Sequence, residues 1–315
     1  MSKPTKLPFQ YGRAICYSGF RAGQHPGGIY PSYDQIKEDL LILHPHWRYL
    51  RLYDCDQHGE TVLEVIRKEK LDFKVMLGAY IAAEMNNFGC PWGGGVYSEK
   101  QLDTNRSRNL QQINKLIDLA NQYPDIIFAL SAGNEACVDW TDHYVPVDHV
   151  IEYVKLVKNG AAQPVTFCEN YVPWLSKLRP LAEEVDFISI HTYPVWEYKH
   201  IHEALDYTKD NYHSVAEKYP GKPIIIAEAG WATNSNGRGI DPHNVNEKQQ
   251  QIYYNDLMEW TIKAGILCFV FEAFDEPWKG SNEPLEPEKH WGLFKVDRTP
   301  KLVVQDLIIR SNATL

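Results

Sequence analysis

What this sequence lacks excludes several kinds of protein. No stretch approaches the roughly 18 consecutive apolar residues of a membrane-spanning helix. Lysine and arginine number 32 against 41 aspartates and glutamates, a formal charge of -9, and no basic run interrupts that balance. The electrostatic footprint of a nucleic-acid binder is missing, so neither nucleic acid nor a membrane is expected as a partner. The six cysteines (Cys16, Cys55, Cys90, Cys137, Cys168 and Cys268) contain no C-x-x-C pair, which argues for free thiols and against a zinc site or a disulfide framework. No H-E-x-x-H occurs among the twelve histidines, and His44, His46, His200 and His202 read as surface residues, so no metal is expected. No G-x-G-x-x-G follows the first apolar run, and no cofactor is expected. There is no internal repeat, low-complexity stretch or linker to divide the chain.

What is present is an alternation. Eight apolar, β-rich runs span 12–20, 49–54, 74–81, 126–135, 164–171, 186–194, 223–232 and 266–278. Between several of them lie segments with apolar residues three and four apart, the spacing of one helix face: YDQIKEDLLILH, NRSRNLQQINKLIDLANQY, VDHVIEYVKLVKNG, HIHEALDYTKDNYHSVAEKY and NEKQQQIYYNDLMEWTIKAG. Parallel strands joined by crossover helices give this pattern. Eight such units in 315 residues predict an α/β fold, a (β/α)8 TIM barrel forming one domain over 1–315, with an open doubly wound sheet as the alternative.

In a barrel the active site forms at the carboxyl ends of the strands. Run four closes on Asn134-Glu135, run seven on Glu228, and run eight on Glu272, Asp275 and Glu276 ahead of Lys279. A lone carboxylate at a strand-to-helix turn usually caps a helix, but Glu is a poor cap. Glu135 and Glu228 are also flanked by small residues that leave room above a barrel. Seven of the nine tryptophans (Trp92, Trp140, Trp174, Trp196, Trp231, Trp278 and Trp291) follow the ends of runs three to eight, while Trp47 and Trp260 fall in helical patterns. Flat aromatic faces stack on the C-H faces of sugar rings, so an acidic, aromatic rim suits a neutral carbohydrate. Two carboxylates facing across such a cleft meet the need of glycosidic bond cleavage, in which one protonates the leaving oxygen and the other attacks or stabilises the anomeric centre.

At these residues the sequence resembles glycoside hydrolase family 17, within the clan of retaining (β/α)8 enzymes. The motifs are GNE at 133–135, AEAGW at 227–231, FEAFDEPWK at 271–279 and RLYD at 51–54, and the long last motif is more similar to the microbial branch. The resemblance implies cleavage of β-1,3-glucans such as laminarin, with Glu135 as general acid/base and Glu228 as nucleophile. It implies Asn134 at the sugar 2-hydroxyl, Tyr53 and Tyr193 beside the nucleophile, and Glu276 with Lys279 as a supporting pair behind the acid/base. It places Trp231 in the sugar platform, and Trp140 and Trp278 join the substrate-binding set from the aromatic rim. The family often has a hydroxyl residue after the nucleophile and proline after the tryptophan, where this chain has Ala229 and Ala232.

The expected partner is therefore a β-glucan oligo- or polysaccharide, with hydrolysis as the first reading and glucanosyl transfer as the alternative on the same fold. A non-catalytic glucan-binding barrel is a third reading, against which both glutamates stand. A phosphate-binding barrel enzyme is a further reading, and the absence of a Gly-rich loop near runs seven and eight counts against it. Glu169 and Asn170 end run five and either touch substrate or bond within a loop, and Glu272 points into the barrel or toward the cleft. The Gly-rich insertion GCPWGGGVYSEKQLDTNRS follows run three and is placed to shape one end of a groove. Asn105-Arg106-Ser107 and Asn312-Ala313-Thr314 fit the glycosylation triplet, but such triplets arise by chance. MSKPTKLPFQYG lacks the apolar core of a signal peptide, which predicts a cytoplasmic enzyme if the chain is full length and a secreted or periplasmic one if a signal was removed. Nothing in the sequence specifies an oligomeric state.

Overall fold

The strands of this chain read as almost unbroken apolar runs because both of their faces are covered, as parallel sheets require. The computed structural model describes residues 10–313. The first residues of MSKPTKLPFQYG and Thr314 of the last glycosylation triplet lie outside the described residues. Eight parallel strands close into a barrel in chain order: β1 (Ala14–Cys16), β2 (Tyr49–Leu52), β3 (Lys74–Gly78), β4 (Ile127–Asn134), β5 (Val165–Asn170), β6 (Ile188–Thr192), β7 (Ile224–Ala229) and β8 (Cys268–Val270). The pairing of β1 with β8 settles the choice between barrel and open sheet in favour of the barrel.

Helices cover the outside: α1 (Tyr33–Leu43), α2 (Gln57–Lys68), α3 (Glu99–Gln122), α4 (Val147–Gly160), the short α5 (Tyr171–Leu175) and α6 (Arg179–Glu184), α7 (Ile201–Lys218), α8 (Glu247–Ala264) and α9 (Leu302–Ala313). The five periodic segments are α1, α3, α4, α7 and α8. Their starts are locally specified: Ser32 accepts from the Gln35 amide at α1, and Asn246 accepts from the Gln249 amide at α8. Gly265, in the left-handed conformation at φ 67°, ends α8.

The structure adds α2, α5, α6 and α9 to that list. α2 buries Val62, Leu63, Val65 and Ile66 against the barrel, a periodicity legible in the sequence. α5 and α6 are too short for a period to register. The second half of the Gly-rich insertion is the first turns of α3, where the Asn105 amide donates to the Ala83 carbonyl from a buried position and is unavailable as a glycan acceptor. Trp47 lies in the turn between α1 and β2 rather than in the helix. β1 and β8 are shorter than their runs; beyond Val270 the chain leaves the ladder and forms an isolated bridge from Phe274 to Phe294. All six cysteines are free thiols.

The closing seam of the barrel is pinned by a buried charge. Asp39 of α1, fully buried, accepts from Arg298 Nε and Nη2 at 2.7 Å each, from Tyr17 at 3.1 Å and from Arg21 at 3.0 Å. This network ties the segment after β8 to the first β/α unit. Breaking a buried pair leaves an uncompensated charge, so Asp39→Ala is expected to cost roughly 3–5 kcal/mol, read as a fall in the urea unfolding midpoint. An unchanged midpoint would contradict that role.

Candidate active site

The carboxyl ends of the strands open into one cleft, with a cavity volume of about 900 Å³, lined by Glu135, Glu228, Asn134, Tyr53 and Tyr193. Backbone irregularity aims the two glutamates. The β4–β5 register shifts between Ser131 and Asn134, and those of β6–β7 and β7–β8 shift around Glu228. Such bulges re-aim side chains beside active sites. At the β4 bulge Gly133 has φ 137°, and a Cβ there would meet Ile81 and Phe167 at 2.7 Å, so only glycine fits. Glu135 follows at φ 46°, a strained conformation held by its amide donating to the Cys168 carbonyl at 2.9 Å.

Glu228 is 5% exposed and surrounded by donors. Arg51 of β2 donates to its Oε1 through Nη1 and to the Asn134 side-chain oxygen through Nη2. Tyr53 donates to Oε1 at 3.0 Å, and Tyr193 to Oε2 at 2.5 Å. The His191 ring stands 3.5 Å from Oε2, and its Nδ1 is 2.7 Å from Oε1 of Glu135, linking the two carboxylates. Burial works against the charge on Glu228, yet the His191 and Arg51 cations and the Tyr193 hydroxyl hold the carboxyl down at about 2. Burial likewise opposes the imidazolium of His191, but the negative charge of Glu228 and the bonds to Cys168 and Glu135 raise it to about 10. Burial, reinforced by Glu228, raises Tyr53 and Tyr193 well above their ordinary value, so both remain donors.

Side-chain atoms of Glu135, His191 and Glu228 lie within 4.8 Å of one another. Two carboxylates and an imidazole are also the donor types of a divalent metal site. Here the Arg51 guanidinium is already paired with Glu228 and supplies positive charge that an ion would bring, which disfavours a cation at this place.

The structure brings Trp140 and Trp278 into the cleft as expected, with Trp92, Trp196 and Trp291. It corrects Trp231, which is 1% exposed, donates through its indole N-H to the Asn244 carbonyl and packs on Tyr253, behind the barrel wall. Trp174 is similarly buried, donating to the Ser189 carbonyl. The expected pair of Glu276 with Lys279 is present, and Glu272 joins it. Lys279 lines the cleft, but it donates to Glu272 at 2.9 and 3.1 Å and stands 3.5 Å from Glu276, which is fully buried and makes no cleft wall. Glu272 is thus a buried partner of Lys279, and Asp275 accepts from Lys301 and the Gly292 amide. Glu169 is fully buried and accepts from the Cys137 and Asn170 amides, while Asn170 reaches the cleft. Burial and the charge of Glu135 push Glu169 up to about 8.

Arg51, His191 and Glu288 were not singled out by sequence reasoning. A lone arginine inside the apolar run YLRLYD and a histidine inside ISIHTY were the available signals for two of them. Glu288 sits in the loop before Trp291 and lines the cleft; burial raises its carboxyl to about 7 although Lys279 opposes this.

The chain is 29% identical over 294 residues to the putative glucan endo-1,3-beta-glucosidase btgC of Aspergillus niger, covering 86% of this chain and 40% of that longer protein. It is 29% identical over 297 residues to the glucan 1,3-beta-glucosidase of Arthroderma benhamiae, covering 90% and 88% of the two chains. Among solved structures, an endo-laminarinase from Formosa superposes with a TM-score of 0.81 at 29% identity, over 95% of this chain and 87% of that one. The model of the BtgE/BtgC glycoside hydrolase domain matches residues 14–292, nearly the whole barrel with its cleft, and the chain belongs to that family.

Proposed function

We propose that this protein cleaves β-1,3-glucan by a retaining double displacement, as a member of glycoside hydrolase family 17. The observation that carries this reading is the approach of the two carboxylates: their oxygens come within 4.8 Å. Retaining enzymes hold their carboxyl groups about 5–5.5 Å apart, and inverting ones leave about 6.5–9.5 Å for a water. The β-1,3 linkage is supported by the names of the relatives and by the motifs around both glutamates.

Glu228, ionised and fixed by Arg51, Tyr53 and Tyr193, attacks the anomeric carbon while Glu135 donates its proton to the leaving oxygen. The C-O bond breaks and a glycosyl ester forms on Glu228. Glu135, now a base, then takes a proton from water, which hydrolyses the ester. With the Asn134 oxygen held by Arg51, its amide N-H group is left to meet the sugar 2-hydroxyl. Trp140, Trp196 and Trp278 supply stacking faces. Transfer to a second sugar uses the same ester, and Trp140, on the loop that follows Glu135, is the observation that favours it, since an aromatic acceptor site there holds a sugar in place of water.

Three outcomes follow. On a laminari-oligosaccharide series, Glu135→Ala should lose about 10²–10⁴-fold in rate and Glu228→Ala at least as much, with products resolved by length. Shorter products from either variant at the wild-type rate would sink the assignment, and wild-type products longer than the substrate would establish transfer. Sodium azide should rescue the two variants with opposite stereochemistry, giving a β-glycosyl azide from Glu135→Ala and an α-glycosyl azide from Glu228→Ala; identical anomers would reverse or void the roles.

The third concerns pH. The carboxyl of Glu228 is depressed, so it stays ionised as pH falls through the ordinary value and protonates only near about 2. The acid limb of kcat/KM should therefore lie below pH 4.5. Replacing His191 by Gln removes a positive charge and should move that limb upward by about one pH unit, equivalent to about 1.4 kcal/mol. An unmoved limb would show that His191 does not set the ionisation of Glu228.

A further inference from the structure

Two loops from opposite sides of the barrel meet over the cleft. β3 and β7 are four strands apart in a closed ring of eight, so they face each other across the mouth. The loop after β3 nevertheless brings Trp92 against Arg238 of the loop after β7, with the guanidinium carbon 5.5 Å from the ring centroid. Both side chains line the same cavity as Glu135 and Glu228, so the contact crosses the mouth of the cleft.

Each end is anchored. On the β3 side Asn87 donates to the Asp139 and Thr141 carbonyls of the loop after β4, and its amide donates to the Gly95 carbonyl at 2.7 Å. Gly93, Gly94 and Gly95 all have positive φ, a succession that other residues rarely adopt, and they reverse the chain immediately behind Trp92. On the β7 side Arg238 donates to Glu286 at 3.1 Å, and buried Glu286 also accepts from Ser281 at 2.7 Å, so the arginine is tied to the loop after β8. Trp92 itself is 53% exposed, with its ring facing both the arginine and the cleft.

We propose that Trp92 and Arg238 form a strap over the cleft, so that a glucan chain enters by an end and passes beneath it. This rests on the reading of the site as a glucan-cleaving cleft. A chain attacked in its middle must be laid into the groove from above, and a bridge joining the β3 side to the β7 side blocks that path while it is closed. The contact is of a kind that is weak at an exposed site. Mid-chain attack therefore waits for the strap to part, whereas a chain end threads without that delay.

The test compares wild type, Trp92→Ala, Arg238→Ala and Trp92→Phe on a soluble linear β-1,3-glucan of narrow length distribution. Reducing ends count bonds cleaved, and size-exclusion chromatography gives mean chain length. The wild type should accumulate reducing ends with a slow fall in chain length, as should Trp92→Phe, which keeps an aromatic face. Trp92→Ala and Arg238→Ala should shorten the chains several times faster per bond cleaved. Equal ratios in all four proteins would overturn the strap. A second measurement needs no substrate: amide hydrogen exchange across residues 87–97 should quicken in Arg238→Ala, and unchanged exchange would overturn the strap by itself. Absence of cleavage by the wild type would instead remove the glucan reading, leaving the exchange result to decide whether the two loops are joined.

Discussion

A carboxylate buried at the centre of the barrel mouth constrains everything around it. Taking the charge of Glu228 out of water costs several kcal/mol unless its lone pairs and charge are answered nearby. The answer comes from Arg51, Tyr53, Tyr193 and His191, carried by β2 and its end, the end of β6, and β6 itself. Arg51 is itself 2% exposed and reaches the side-chain oxygen of Asn134, so the same guanidinium sets both the nucleophile and the residue preceding the acid/base. Removing any one partner would leave a buried charge or donor without its counterpart, which is why the site depends on barrel closure.

The arrangement places fixed charge where the reaction develops it. Donors already aimed at Glu228 need not reorganise when the ester forms or breaks, the condition under which electrostatic stabilisation is most effective. His191 touches both carboxylates, so the loss of charge at one glutamate is felt at the other through a single buried imidazole. The backbone contributes as well: bulges beside β4 and β7, and the strained φ of Glu135, turn side chains from two nearly opposite strands toward one point.

The barrel was legible because its strands are buried on both faces and its longer helices keep a clear apolar period. The short α5 and α6 were not, having too few turns for any period. Glu135 and Glu228 were legible because acidic residues that end apolar runs between small neighbours have few structural uses. Trp231 misled because it follows the nucleophile by only three residues in sequence. β7 ends at Ala229, and beyond it the chain carries the indole away from the cleft, onto Tyr253 and the Asn244 carbonyl. Arg51, His191 and the partnership of Lys279 with Glu272 were hidden because each depends on contacts between strands far apart in sequence. A strand pattern reports which face a residue takes, and the partner across the barrel follows only from closure.

The central claim is that Glu135 and Glu228 stand close enough for Glu228 to bond the sugar. Proton NMR of the first sugar released from a laminari-oligosaccharide, recorded before mutarotation, tests this most directly. The account predicts the β anomer, formed by two inversions through an ester on Glu228. An initial α anomer would show a single displacement by water and would contradict it.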